Sequence, residues 1–169
     1  MPLPVAPRPK PTRLSELKES EENCDEGLFV HITWWYNQSV KRILLLRTFV
    51  RWKEKHGLSD QSLVKAVAEM EQGLIDADLG GSVLKKRVAL PGRGKRGGVR
   101  VIVATKKIDR WVFLYGFEKN ERDNISVREV KIFQEMAGDL LKLNDRQVDL
   151  ALSEGEFVEV VNETKEKNQ

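Results

Sequence analysis

VLKKRVALPGRGKRGGVRVIVATKKIDRWVFLYGF, residues 83–117, is the stretch whose reading decides the fold. Successive side chains of a strand point to opposite faces, and three runs here alternate in that way. In VLKKRVAL (83–90), Leu84, Val88 and Leu90 share one side, with Lys85 and Arg87 on the other. In VRVIVAT (99–105), Val99, Val101 and Val103 oppose Arg100, Ile102 and Ala104. WVFLYGF (111–117) is apolar on both sides, as a central strand is. The short connections make these strands antiparallel neighbours, and residues 106–110 close a hairpin between the last two.

Helical patterns flank this core. Thr48 is placed to cap a helix through RTFVRWKEKH, with Phe49, Trp52 and His56 on one face and Gly57 ending it. Ser59 or Asp60 caps a second helix, where Leu63, Val67, Met70 and Leu74 form a stripe; Gly73 and Gly80-Gly81 mark the exit. Downstream, Ser126 and Glu129 spell the capping box S-x-x-E ahead of a stripe of Val130, Phe133, Met136, Ala137, Leu140 and Leu141. Asn144 caps a short further helix, and EFVEVV (156–161) reads as a last strand. Two helices, three strands and a helix predict a helix-backed antiparallel sheet of class α+β.

The ends read differently. Residues 1–13 hold five of the six prolines and little to bury, so disorder is expected there. LFVHITWWYNQSV (28–40) is too short and too polar to span a membrane, and no basic segment leads into it as in a signal peptide. Residues 1–40 are therefore expected to be an extension, largely disordered or peripheral. A start at Val40 or a nearby leucine is one reading of it. Residues 162–169 form a polar tail. Cys24, the single cysteine among 169 residues, can close neither an internal disulfide nor a zinc site, which fits a reducing, cytoplasmic compartment.

Charge is the most informative feature. The net value is only +3, but residues 83–107 carry nine Lys/Arg and no Asp or Glu. Elsewhere, 20 of the 29 cations remain against 26 acids, a balance of −6. Six of the twelve glycines fall between Gly80 and Gly98. A concentrated positive field on flexible backbone points to an anionic partner, since glycine main chain can also form an anion-binding nest. A solvated charged surface is the plainer alternative for any charge run. Trp111, Phe113, Tyr115 and Phe117 on the next strand are of a type that stacks on bases. Burial accounts for most such aromatics, and Tyr115 is the best exception because its hydroxyl needs a partner.

Several chemistries are set aside. The spacing around Gly94-Lys95 does not make a phosphate-binding Walker loop: Ala89 stands where its first glycine belongs and Arg96 where Ser/Thr belongs. Asp76 and Asp78 read as turn residues, since no His or Cys joins them, and no metal or other cofactor is expected. His56 reads as structural. No Ser-His-Asp arrangement or carboxylate pair is present. An RNA-binding module without catalysis, or a protein-interaction domain whose basic face meets an acidic partner, both fit the residues as well as an RNA-cleaving enzyme does.

The run KKRVALPGRGKRGGVRVIVA followed by RWVFLYGFEKNERDNIS resembles the RelE/HigB superfamily of bacterial toxin–antitoxin ribonucleases, closest to its HigB-like branch. FVRWKEKHGLSD and GLIDADLGG are similar to that branch too, and the likeness covers residues 43–160. It implies a RelE-like fold: N-terminal helices on a small curved antiparallel sheet, with a C-terminal helix. It also implies mRNA cleavage without a metal, typically on the ribosome, with inhibition of translation. The implied partners are mRNA, the ribosome and a cognate antitoxin, one with a helix-turn-helix domain, and no membrane. The family's basic positions fall on Arg87, Arg93, Lys95, Arg96, Arg100 and Lys119, beside Asn120 and Glu121. Where many members carry an aromatic after the double glycine, this chain has Ile102 and Val103, which leaves Tyr115 as the candidate.

The chemistry of RNA self-cleavage suits such a cluster. The 2′-hydroxyl must lose its proton, the phosphorus must bear extra negative charge, and the 5′-oxygen must gain a proton. Clustered cations stabilise the second, and a lysine among cations more readily offers a neutral amine for the first. Lys95 or Lys119 is the expected base, Arg100 and Arg87 the phosphate clamp, and Glu121 an orienting group. Arg93, Arg96, Lys85, Tyr115 and Asn120 are expected to bind RNA.

Overall fold

A computed structural model of the chain describes residues 41–106 and 109–161, and of Gly94 and Lys95 only the backbone. The expected extension 1–40 and tail 162–169 lie outside the described residues. The element order is β1 (Arg42–Leu46), α1 (Arg47–His56), α2 (Asp60–Glu71), β2 (Ala77–Asp78), β3 (Val83–Leu90), β4 (Gly94–Thr105), β5 (Arg110–Glu118), α3 (Val127–Leu140), α4 (Asp145–Ser153) and β6 (Phe157–Glu159). The fold is α+β, as expected, with a six-stranded sheet ordered β2-β3-β4-β5-β1-β6.

The sheet is antiparallel except at one seam. β1 runs parallel to β5, with Ile43 opposite Trp111 and Leu45 opposite Phe113. The sequence reading has no strand at RILLL. A run of four apolar residues after Arg42 carries too little periodicity to be told from a helix segment, and its partner lies far along the chain. Leu44 and Leu45 are buried on opposite faces of the sheet.

Each face has its own core. On one face, Phe49 of α1 and Leu63, Ala66, Val67 and Met70 of α2 cover Leu84, Val88, Val99, Val101, Val103, Trp111 and Phe113. On the other, Phe133 and Ala137 of α3 and Val148 of α4 cover Val83, Ile102, Ala104, Val112 and Leu114. We call these the α1/α2 face and the α3/α4 face. The alternation predicted for β3 and β4 is what distributes their side chains between the two.

The helix ends show where local signals hold. Ser59 accepts the Ser62 N–H at 3.2 Å and caps α2. Both capping boxes close, Ser126 with Glu129 and Asn144 with Gln147. Gly57 ends α1 in the left-handed conformation (φ 66°). Two expectations fail. Thr48 does not cap α1, because β1 runs straight into the helix and the Arg47 N–H bonds the Glu156 carbonyl instead. Leu74 does not extend the α2 stripe: the helix stops at Glu71, Gly73 turns the chain at φ 82°, and Leu74 is exposed.

A bulge aims the aromatic strand. Ile102 pairs with Tyr115 and Val103 with Phe113, so Leu114 is an extra residue in β5. Trp111 and Phe113 therefore sit on the α1/α2 face, while Tyr115 and Phe117 sit on the α3/α4 face. Gly116, between them, lies against the Trp52 indole, which a Cβ there would strike.

Candidate functional site

Helix α3 covers only part of its face. Past the Val83–Ala104 end, the sheet presents Lys85 and Arg87 from β3, Arg100 from β4, and Tyr115 and Phe117 from β5. The register sets them side by side: Arg87 opposite Arg100 opposite Phe117, and Lys85 opposite Ile102 opposite Tyr115. Directly paired residues on neighbouring strands bring their Cβ atoms to about 4.5–5.5 Å, where like charges destabilise the sheet. Two arginines in register are thus an arrangement that folding alone does not favour. Arg87 is exposed, and its side chain makes no hydrogen bond or ion pair among the described residues.

The segment after β5 bends over this end of the sheet. It is anchored by Ile125, buried in the α3/α4 core. Arg100 Nη1 donates to the Asp123 carbonyl at 2.9 Å, and Lys85 Nζ to Asn124 Oδ1 at 3.2 Å. Arg122 lies with its guanidinium 6.0 Å from the Phe117 ring centroid and donates twice to Glu129, at 2.7 and 2.8 Å. Glu129 also accepts the Ser126 N–H and hydroxyl, at 2.7 and 2.8 Å. The Arg122 guanidinium, with help from these Ser126 bonds, pulls the Glu129 carboxyl down to about 2, and the carboxylate raises the arginine further above its ordinary range.

Of the four aromatics on β5, Trp111, Phe113 and Phe117 are buried, whereas Tyr115 is half-buried. Its ring stands 6.2 Å from Phe117 and 5.6 Å from Phe133, centroid to centroid. An aromatic is thus present opposite Ile102, supplied by the neighbouring strand.

The remaining expected residues lie at the rims. Arg93 and Arg96 are exposed on the β3–β4 hairpin, and the Lys95 side chain lies outside the described residues. Lys119 and Asn120 are exposed in the turn just beyond Phe117. Glu121 is exposed, with Oε1 3.9 Å from His56 Nε2. His56 itself stacks on Trp52 at 4.4 Å and donates from Nδ1 to the Trp52 carbonyl at 2.8 Å. Lys55, His56, Arg93 and Glu118 line an open cavity of about 330 Å³ beside that hairpin.

Two residues were misjudged or missed from the sequence. Lys86, counted within the basic block, points to the α1/α2 face, is buried, and bonds Glu69 at 2.8 Å and the Leu74 carbonyl. Arg122 was not singled out, and the cue available was its place seven residues before the Glu of a capping box. Among the described residues no group of three or more His, Cys, Asp or Glu is placed to hold a metal, and no helix is long and apolar enough to cross a membrane.

No curated protein matches the chain. A family model does: the RelE toxin of the RelE/RelB toxin–antitoxin system, over residues 41–160. That span takes in every described strand and helix, and on it the chain belongs to the RelE toxin family.

Proposed function

We propose that this toxin is an endoribonuclease of the HigB-like branch that cleaves mRNA on the ribosome and so inhibits translation. The observation that supports it best is the in-register placement of Arg87 and Arg100, with Lys85 two residues along the same face and Tyr115 beside them. A ribose-phosphate link seated there relieves the repulsion between the two arginines, and a base stacks on the half-buried phenol ring.

In the proposed reaction, Lys119 or Lys95 takes the proton of the 2′-hydroxyl. The 2′-oxygen bonds to phosphorus, Arg87 and Arg100 stabilise the added negative charge, and the bond to the 5′-oxygen breaks. A lysine ammonium returns the proton to the 5′-oxygen. The products are a 2′,3′-cyclic phosphate and a 5′-hydroxyl. Arg93, Arg96 and Asn120 bind the flanking RNA, and Glu121, next to His56, steadies the turn that bears Lys119. The reaction as drawn needs no metal or cofactor. A cognate antitoxin with a helix-turn-helix domain silences the toxin in the cytoplasm, and residues 1–40 are an extension to the toxin domain of residues 43–160.

The test is induced expression followed by mapping of mRNA ends. Growth arrest with 5′-hydroxyl ends is expected. Ends bearing 5′-phosphate and 3′-hydroxyl reject the mechanism. Binding of RNA with no cleavage under any condition points to a non-catalytic module instead.

A further inference from the structure

Arg122 has no part in the reaction above, and its surroundings are not those of a phosphate ligand. Both terminal nitrogens are engaged by the single carboxylate of Glu129, in the forked geometry that neutralises the charge of each. Glu129 is in turn fixed from below, because it is the third residue of the α3 capping box and accepts from Ser126 twice. The guanidinium lies over Phe117, whose ring stacks on that of Tyr115. The Tyr115 ring packs against Phe117 and Phe133, and Arg122 lies over that same Phe117 ring. Its neighbours across β4 and β3 are Ile102 and Lys85.

We propose that Arg122, held by Glu129, is a positioning residue that fixes Tyr115 at the rim of the cationic face, so that the phenol ring is presented to a nucleobase of single-stranded RNA. The helix cap, the ion pair, the Phe117 ring and the tyrosine form one chain of contacts, and loosening any link turns the ring away from RNA. This proposal rests on the RNA reading of that face.

Two measurements on the full chain test it. In protein labelled with ¹³C at tyrosine Cζ, Tyr115→Phe assigns the signal, Tyr36 being the other tyrosine. Arg122→Ala and Glu129→Gln should both shift the Tyr115 signal while the protein stays folded by its melting curve. An unmoved signal in both variants overturns the clamp, whatever the RNA result. The second measurement is binding of a short 2′-O-methyl oligoribonucleotide, which cannot be cleaved at the 2′-oxygen. Arg122→Ala should weaken binding about tenfold, roughly 1.4 kcal/mol, and Arg122→Lys should do nearly the same, since an ammonium cannot make the fork. In a Tyr115→Leu background, Arg122→Ala should add less than about twofold, because a residue acting through the tyrosine has nothing left to position.

If Arg122 touches phosphate instead, its loss multiplies in both backgrounds, Arg122→Lys retains most affinity, and the salt slope falls by about one. That pattern overturns the positioning role. If wild-type protein binds no oligoribonucleotide although the tyrosine signal moves, the RNA reading fails, and with it the role given to the ring.

Discussion

Lys86 and Arg87 are neighbours on one strand, both cationic, and the fold uses them in opposite ways. Lys86 faces α2, is buried, and pairs with Glu69. Arg87 faces the open end of the α3/α4 side and stands opposite another arginine. On the first face a charge is admitted only with a carboxylate and a carbonyl to receive it. On the second, charges accumulate, and among the described residues no carboxylate pairs with Arg87. A basic block read along the sequence merges the two, although strand alternation separates them one residue at a time.

The largest effect expected from breaking that comparison is on stability. Lys86→Ala removes one partner of a largely buried pair beneath α2, a change that typically costs about 3–5 kcal/mol. Denaturant unfolding measures it. Arg87→Ala removes a like-charge neighbour from Arg100, so stability should hold or rise by less than about 1 kcal/mol. If the two substitutions destabilise equally, the division of the strand into a structural and a functional face is wrong.

The next effect is on activity. Arg100 is the cation nearest the centre of the open face, between Arg87 and Phe117. Losing one donor to a developing oxyanion costs about 10²–10³ in rate. Arg100→Ala should therefore lower cleavage by that factor in a reconstituted translation assay. Its bond to the Asp123 carbonyl is exposed, so the melting temperature should change little. Cleavage within about threefold of wild type removes Arg100 from the reaction.

What could be read in the sequence follows from the range over which each signal acts. The alternation of β3 and β4, the capping boxes at Ser126 and Asn144, and the stop at Gly57 are written within a few residues and hold in the structure. β1 was missed because its identity depends on a parallel partner, Ile43 meeting Trp111. The aim of Tyr115 was hidden for another reason. Residues 111, 113, 115 and 117 are all aromatic, and simple alternation puts them on one face. The extra residue Leu114 turns the last two to the other face, which brings Tyr115 to the cations and leaves Trp111 and Phe113 in the core. Nothing local in WVFLYGF marks that bulge. Lys86 was lost within a run of three cations although alternation puts it on the side of Leu84 and Val88; the carboxylate that receives it, Glu69, lies on another element.

The smallest effect sharpens the comparison between the two ion pairs. Glu69–Lys86 lies beneath a helix, while Glu129–Arg122 stands at the surface of the open face. The Glu129 carboxyl titrates near 2 in the folded chain against an ordinary value of 4.5. A depressed folded value means that its contribution is complete above about pH 4.5 and is lost as pH falls toward 2. Glu129→Gln keeps a hydrogen-bonding side chain at the third position of the capping box, so the variant reports on the charge rather than the cap. The difference in melting temperature between wild type and Glu129→Gln should be constant above pH 5, shrink through that window, and diminish with added salt, because exposed pairs are screened. The destabilisation caused by Lys86→Ala should respond far less to salt, its pair being shielded from solvent. A Glu129→Gln difference that persists unchanged at pH 2 shows that the carboxylate is not what secures Arg122, and the link between the α3 cap and Tyr115 would then have to run through packing alone.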